Sequence, residues 1–356
     1  MPKSIHLTRV STINGHFRPT NRIDFVLNSL YHQRRDPMKL ELTIAVSACL
    51  LGEKIRFDGG HKHDRFITEE LAKFATFTSF CPEHLAFGTP RPSVRVVRRG
   101  DDTFIKSNKN GADVTRMLTE SSHRELASIS EQPLGGIIFK AKSPSCGLGS
   151  AKAYLENGFA EGKTDGMFAR LCRERFPLLP MEEEGRLNDP WLRENFVMQL
   201  FAYDAFEKFK AAGPRIKDLI SFHQQNKFML QAKDEHAYRV LGNIAGNHSK
   251  AGFRELLSHY EQLFKTTIAK KSSIGKTRNV LEHMAGFVKN DLTPVEKEIL
   301  HEQIRDYADR RIPLIVPLST LELFARKYEV HYLTTQTFLK PYPKELALRS
   351  DIRSGK

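Results

Sequence analysis

Cys49, Cys81 and Cys146 each follow an apolar run that ends in a turn. The runs cover residues 42–48, 74–80 and 136–141, and the local texts are S-A-C-L-L-G, C-P-E and S-P-S-C-G. As strands of one parallel sheet, these runs would bring their carboxyl ends to a single edge, where open α/β sheets bind ligands. Three thiols far apart in sequence would then converge. Thiolate ligands suit iron–sulfur clusters, and three of them leave one iron free to bind something else. Two other readings of the thiols stand beside this one. Structural zinc usually takes C-x-x-C pairs, which are absent here, although His61, His63 and His84 would complete a tetrahedron. Free cysteine is also a common buried core residue, the role assigned to Cys172 within F-A-R-L-C.

The elements that must position the thiols alternate. Runs 42–48, 74–80 and 136–141 predict strands, with 151–155 as a fourth, and 94–97 with 103–105 predicts a hairpin. Helical patterns fall at 68–73, with Thr68 as N-cap, at 113–128, capped by Asp113, and at 165–176. Such alternation predicts an α/β domain with a mainly parallel sheet. The acidic, glycine-ended stretch 182–185 is expected to be a linker. Beyond it strand signals almost vanish, and helical spacing recurs at 189–212, 216–225, 232–246, 250–267, 273–289, 294–310 and 318–328. The expected organisation is a disordered extension over 1–37, an α/β domain over 38–181 and an all-α domain over 188–350.

Of the 356 residues, 40% are hydrophobic and 27% charged, with a formal net charge of +13. No apolar stretch approaches the ~20 residues of a membrane helix. The positive balance favours anionic partners, RNA or DNA above all, met through a basic surface. Four cysteines in a chain of this length do not make a secreted disulfide framework, and the N-terminus lacks the apolar core of a signal peptide. A reducing cytoplasm is the expected location.

Residues 42–180 also resemble the thiouracil desulfidase family (TudS). The resemblance rests on V-S-A-C-L-L-G at 46–52, R-F-D-G-G at 56–60, F-C-P-E at 80–83 and G-T-P-R at 88–91. It continues through N-G-A-D-V-T at 110–115 and K-A-K-S-P-S-C-G at 140–147. Residues 189–349 resemble the YbgA-type helical domain, through F-H-x-x-N-K at 222–227, L-G at 241–242 and P-L-x-x-P-L at 313–318. The first resemblance implies a 4Fe–4S cluster on Cys49, Cys81 and Cys146, whose open iron takes sulfur from a thiolated pyrimidine.

Cleaving a C=S group with water requires a sulfur acceptor, a proton carrier and an oriented ring. Glu83, two residues after Cys81, is the candidate proton carrier, with a turn-stabilising carboxylate as its plain alternative. Ser143 and Ser145, around Pro144, are candidates for orienting substrate or water. Arg91 and Asp58 are candidates for substrate binding, Asp58 having an Asx turn as its alternative. His223, Asn226 and Lys227 share one helix face and are expected to touch the other domain. The expected partner is a small thiolated base or nucleoside. The competing function is a nucleic-acid-associated binding protein with a structural metal site.

Overall fold

The structure, a computed structural model, describes residues 42–100, 102–247 and 250–355; the expected extension over 1–37 lies outside them. Strands follow in chain order as β1 (Thr43–Ser47), β2 (Thr76–Phe80), β3 (Val94–Arg99), β4 (Asp102–Ser107), β5 (Leu134–Phe139), β6 (Ala151–Leu155), β7 (Ala160–Thr164) and β8 (Met181–Glu183). The first sheet has the order β2-β1-β5-β8 and is parallel throughout. Its central strands are apolar on both faces, which is how a parallel strand covered on two sides reads in sequence. On one face Ala45, Ile137 and Phe139 pack with Phe80 against Phe168, Ala169 and Cys172. Cys172 is thus the core thiol expected.

Two expectations about this sheet are corrected. Its fourth strand is β8, formed from the stretch expected as a linker, while residues 151–155 form β6 of a second sheet. That sheet has the order β4-β3-β6-β7, with the expected hairpin at β3–β4. Its inner side chains Val94, Val96, Ile105 and Ala151 pack on Leu118 and Met167.

The α/β helices are α1 (Pro82–Phe87), α2 (Thr115–Ser130) and α3 (Met167–Arg175). Asp113 accepts the Thr115 N–H (2.9 Å) just ahead of α2. The helix expected at 68–73 is present and begins two residues earlier, as a wide helical turn over Phe66–Glu70 followed by a tight one over Leu71–Lys73. Asp64, not Thr68, accepts the first free N–H there, that of Ile67 at 3.1 Å.

The remaining helices are α4 (Pro190–Ala211), α5 (Ile216–Lys233), α6 (Glu235–Ala245), α7 (Phe253–Ile268), α8 (Ile274–Val288), α9 (Pro294–Ala308), α10 (Ile315–Lys327) and α11 (His331–Thr334). Thr293 and Glu296 form the reciprocal cap that starts α9. Phe206, Phe209, Phe222, Tyr260 and Phe264 stack at the centre of this helical part, with Phe209 and Phe222 ring centroids 4.6 Å apart. No described helix is long and apolar enough to cross a membrane.

Helix α4 joins the two parts. Asp189 caps it by accepting the Trp191 and Leu192 N–H groups. Phe196 and Leu200 then cover the second face of the first sheet, over Ile44, Val46 and Ile138. Gly136 permits that approach, because a Cβ there would lie 2.3 Å from Leu200 Cδ2.

Candidate functional site

The register aligns the strand ends that matter. Ser47 pairs with Phe80, and Val46 with Ile138, so β1, β2 and β5 finish together. Cys49 follows β1 in a tight turn over Ala48–Leu51, closed by Gly52 at φ 95°, a conformation suited to glycine. Cys81 follows β2 directly, and its N–H donates to Glu125 Oε1 (2.9 Å). Cys146 lies in the loop after β5, where Ser143 Oγ accepts its N–H (3.1 Å) and that of Ser145 (3.2 Å). This loop is folded tightly: a Cβ at Gly147 would stand 2.8 Å from both Ser143 O and Ala151 N.

All three thiols line one pocket, the convergence expected from the sequence. Burial pushes the Cys49 thiol up to about 12 and Cys81 to about 11, with smaller contributions from neighbouring charges. Cys146 is also raised well above the usual thiol range, first by burial and then by the charge of Cys81. Metal binding removes such protons, because thiolate is the ligand. Three thiolates on one pocket are a donor set that suits iron–sulfur chemistry. His61, His63 and His84 do not line the pocket; His63 meets Thr68 (2.8 Å) and His84 meets Thr89 (2.8 Å).

Glu83 enters the same pocket from the first turn of α1. Ser143 Oγ (3.1 Å) and Ser145 Oγ (2.8 Å) both donate to its Oε1, and Arg91 Nη2 donates to its Oε2 (3.1 Å). Four of the five residues expected around the cysteines are therefore one hydrogen-bonded group. Ser143 lines the pocket, whereas Ser145 is fully buried behind it. Arg91 Nη1 donates to the Ile55 and Gly88 carbonyls, at 2.8 and 3.0 Å, and its buried Nε has no acceptor among the described residues. Asp58 stands apart: it accepts the Gly60 N–H (3.0 Å) and faces Arg56 Nε at 3.5 Å. It does not line the pocket, although Arg56 and Phe57 do.

Sequence reasoning missed the acidic support beneath the loop. Glu183 Oε1 accepts the Leu148 N–H (2.6 Å) and the Ser150 hydroxyl. Glu184 accepts the Ala141 N–H (2.6 Å) and pairs with Lys140. Both ends of the loop carrying Ser143, Ser145 and Cys146 are thereby tied to β8. The available signal was the acidic run itself, placed beside strand-like Met181.

The face expected to reach the other domain does not do so through His223. That side chain meets Tyr260 (3.1 Å) and stacks on Tyr238, both within the helical part. Asn226 Oδ1 accepts the Thr337 hydroxyl (3.1 Å), and Lys227 lies over the Phe228, Phe287 and Tyr332 rings.

A family model described as 2-thiouracil desulfurase matches residues 44–184, and one described as a protein of unknown function (DUF1722) matches 227–343. The uncharacterized protein YbbK of Bacillus subtilis (strain 168) is 33% identical over 159 residues, 41% of this chain and 98% of its own length. The uncharacterized protein YbgA of Escherichia coli (strain K12) is 22% identical over 157 residues, 44% of this chain and 93% of its own. A solved structure titled [4Fe-4S]-dependent thiouracil desulfidase TudS is 30% identical, covering 41% of this chain and 93% of that one, with a TM-score of 0.34. With a DUF1722 region as its helical part, the chain belongs to the 2-thiouracil desulfurase family.

Proposed function

We propose that the chain is a desulfidase that converts the C=S group of a thiolated pyrimidine to C=O, with water supplying the oxygen and sulfide leaving. The observation that carries this reading is one pocket holding three cysteines, Cys49 and Cys146 buried and Cys81 partly so, beside a carboxylate that receives three donors. A 4Fe–4S cluster held by Cys49, Cys81 and Cys146, with one iron lacking a protein ligand, would supply a soft Lewis acid for the sulfur. Both lone pairs of Glu83 Oε1 are occupied by the serine hydroxyls. Oε2 accepts only Arg91, so it is the atom that takes a proton from the attacking water. Ser143 and Ser145 fix the carboxylate, Arg91 Nε is the donor assigned to the ring oxygen, and Asp58 positions Arg56. Ile55, Phe57 and Phe80 give the pocket its apolar wall.

A second reading concerns how the base arrives. In the second sheet Arg95 pairs with Lys106, Val97 with Phe104 and Tyr154, and Lys152 with Lys163, so all of these lie on the face opposite the packed one. With Arg99 they set two aromatic rings among five cations, against the acids Asp102, Asp113 and Glu156. Strands β3 and β6 leave the pocket loops within a few residues of Arg91 and Cys146. Aromatics among cations suit unstacked bases and phosphates, so this face supports a thiolated base carried in RNA.

The test is anaerobic purification with iron, sulfide and zinc analysis of wild type and Cys146→Ala. Sulfide release from thiouracil, a thiolated nucleoside and thiolated RNA follows. About four irons and four sulfides per chain, lost in the variant, with sulfide release from one of these substrates, is the expected result. Stoichiometric zinc, or no metal, overturns the desulfidase reading in favour of a binding protein. Lys152→Glu/Lys163→Glu should slow turnover of RNA but not of free thiouracil.

A further inference from the structure

The helical part encloses a second, much smaller cavity of about 10 Å³, bounded by α4, α5, the start of α8, α9 and the C-terminal tail. Its wall contains two buried cations. Lys233 is 1% exposed and Arg349 4%. An ammonium carries three N–H donors, and among the described residues Lys233 Nζ makes a single hydrogen bond, to Asn195 Oδ1 at 2.5 Å. Arg349 donates from Nε to Glu194 Oε1 (2.9 Å) and from Nη1 to the Phe338 carbonyl (2.6 Å), while its buried Nη2 has no acceptor among the described residues. Glu194 is the one carboxylate lining the cavity, and it is already bonded to Arg349 and Tyr342. Burial holds the Lys233 ammonium down to about 8, with Glu194 pulling it up and Arg349, Lys271 and Lys276 pushing it further down. Ser273 and Thr277 also line the cavity, with Trp191, Met198 and Leu314 as apolar wall.

Two desolvated cations facing one carboxylate make an unbalanced arrangement, costly unless a counter-charge enters. The room is too little for phosphate or an organic acid. We propose that this cavity is a structural binding site for a monatomic anion of chloride size, held by Arg349 Nη2 and Lys233 Nζ. The anion would pin the end of α5 and the C-terminal tail to α4. The site lies in the helical part and does not depend on the reaction proposed above.

The experiment compares thermal unfolding of the full chain in sodium chloride and sodium gluconate at equal ionic strength. Crystals soaked in sodium bromide are examined for anomalous scattering. Saturable stabilisation by chloride, with a rise of about 2 °C or more at high occupancy, and a bromide peak beside Arg349 are expected. Lys233→Met, which keeps the volume and removes the charge, should abolish the chloride-specific rise. Identical melting of wild type in the two salts, or a cavity without bromide that holds only water, overturns the proposal. So does a chloride effect that survives in Lys233→Met.

Discussion

Removing the Glu183 side chain should loosen the loop that carries Cys146 without touching a cysteine. Its Oε1 accepts two hydrogen bonds, from Leu148 N–H and the Ser150 hydroxyl. Glu183→Ala leaves both donors without that acceptor. At about 1–3 kcal/mol for each stranded or weakened bond, and allowing for a partly exposed loop, the loss is roughly 3 kcal/mol. Glu183→Gln has a different expectation. Burial, with smaller contributions from Glu184 and Glu182, raises the Glu183 carboxyl above its usual range, so its charge is poorly tolerated. The amide oxygen keeps the same geometry and removes that charge, so this variant should be close to neutral. The assay is urea unfolding of the metal-free chains, with iron and sulfide content after anaerobic reconstitution. Glu183→Ala should lose about 3 kcal/mol and most of its iron, while Glu183→Gln keeps both. Equal iron content and stability in Glu183→Ala and wild type would refute the support assigned to β8.

Three other outcomes follow from the same structure. Glu83→Gln should bind iron like wild type yet lower turnover by about 10²–10³, because the proton acceptor is lost; unchanged sulfide release would remove Glu83 from the chemistry. Gly136→Ala should lose roughly 1–3 kcal/mol by forcing a methyl against Leu200 Cδ2 and the Pro180 carbonyl. A cycle with Leu200→Ala should show clear non-additivity, and strict additivity would contradict the close contact. Burial holds the His223 ring down to about 4, below its ordinary value of 6.5. The unfolded chain therefore binds more protons between those values, and stability falls as pH drops from about 6.5 towards 4, by at most about 3 kcal/mol. Unfolding at pH 7 and pH 4.5 should show a smaller drop in His223→Gln.

The cysteine geometry was legible because each thiol lies at the end of a continuous apolar run, and such runs make the central strands of a parallel sheet. Glu83 was singled out by its place two residues after Cys81 and the serines by theirs around Pro144, but nothing local announced that they meet, 60 and 62 residues apart in sequence. Strand β8 was not legible, since glutamates normally mark exposed chain; these are retained by donors from a loop more than 30 residues earlier. Nothing local distinguishes β6 from a fourth strand of the first sheet, because the same alternation serves either pairing. The location of His223 depends on Tyr260, 37 residues further on. Segment type was written locally, whereas partners at long range were not.

Helix α4 gives the helical part a claim on the sheet that bears on how such a chain can be divided or assembled. Cut after residue 181, the α/β fragment would lose the last residues of β8 and bare Ile44, Val46 and Ile138, now covered by Phe196 and Leu200. A freshly exposed apolar sheet face favours aggregation over independent folding. The two parts are therefore more than two finished modules on a tether: Phe196 and Leu200 of α4 belong to the sheet's own covering, with a glycine at 136 to receive them. Any natural or designed separation must supply a replacement cover, or truncation will look like loss of the site when it is loss of the scaffold.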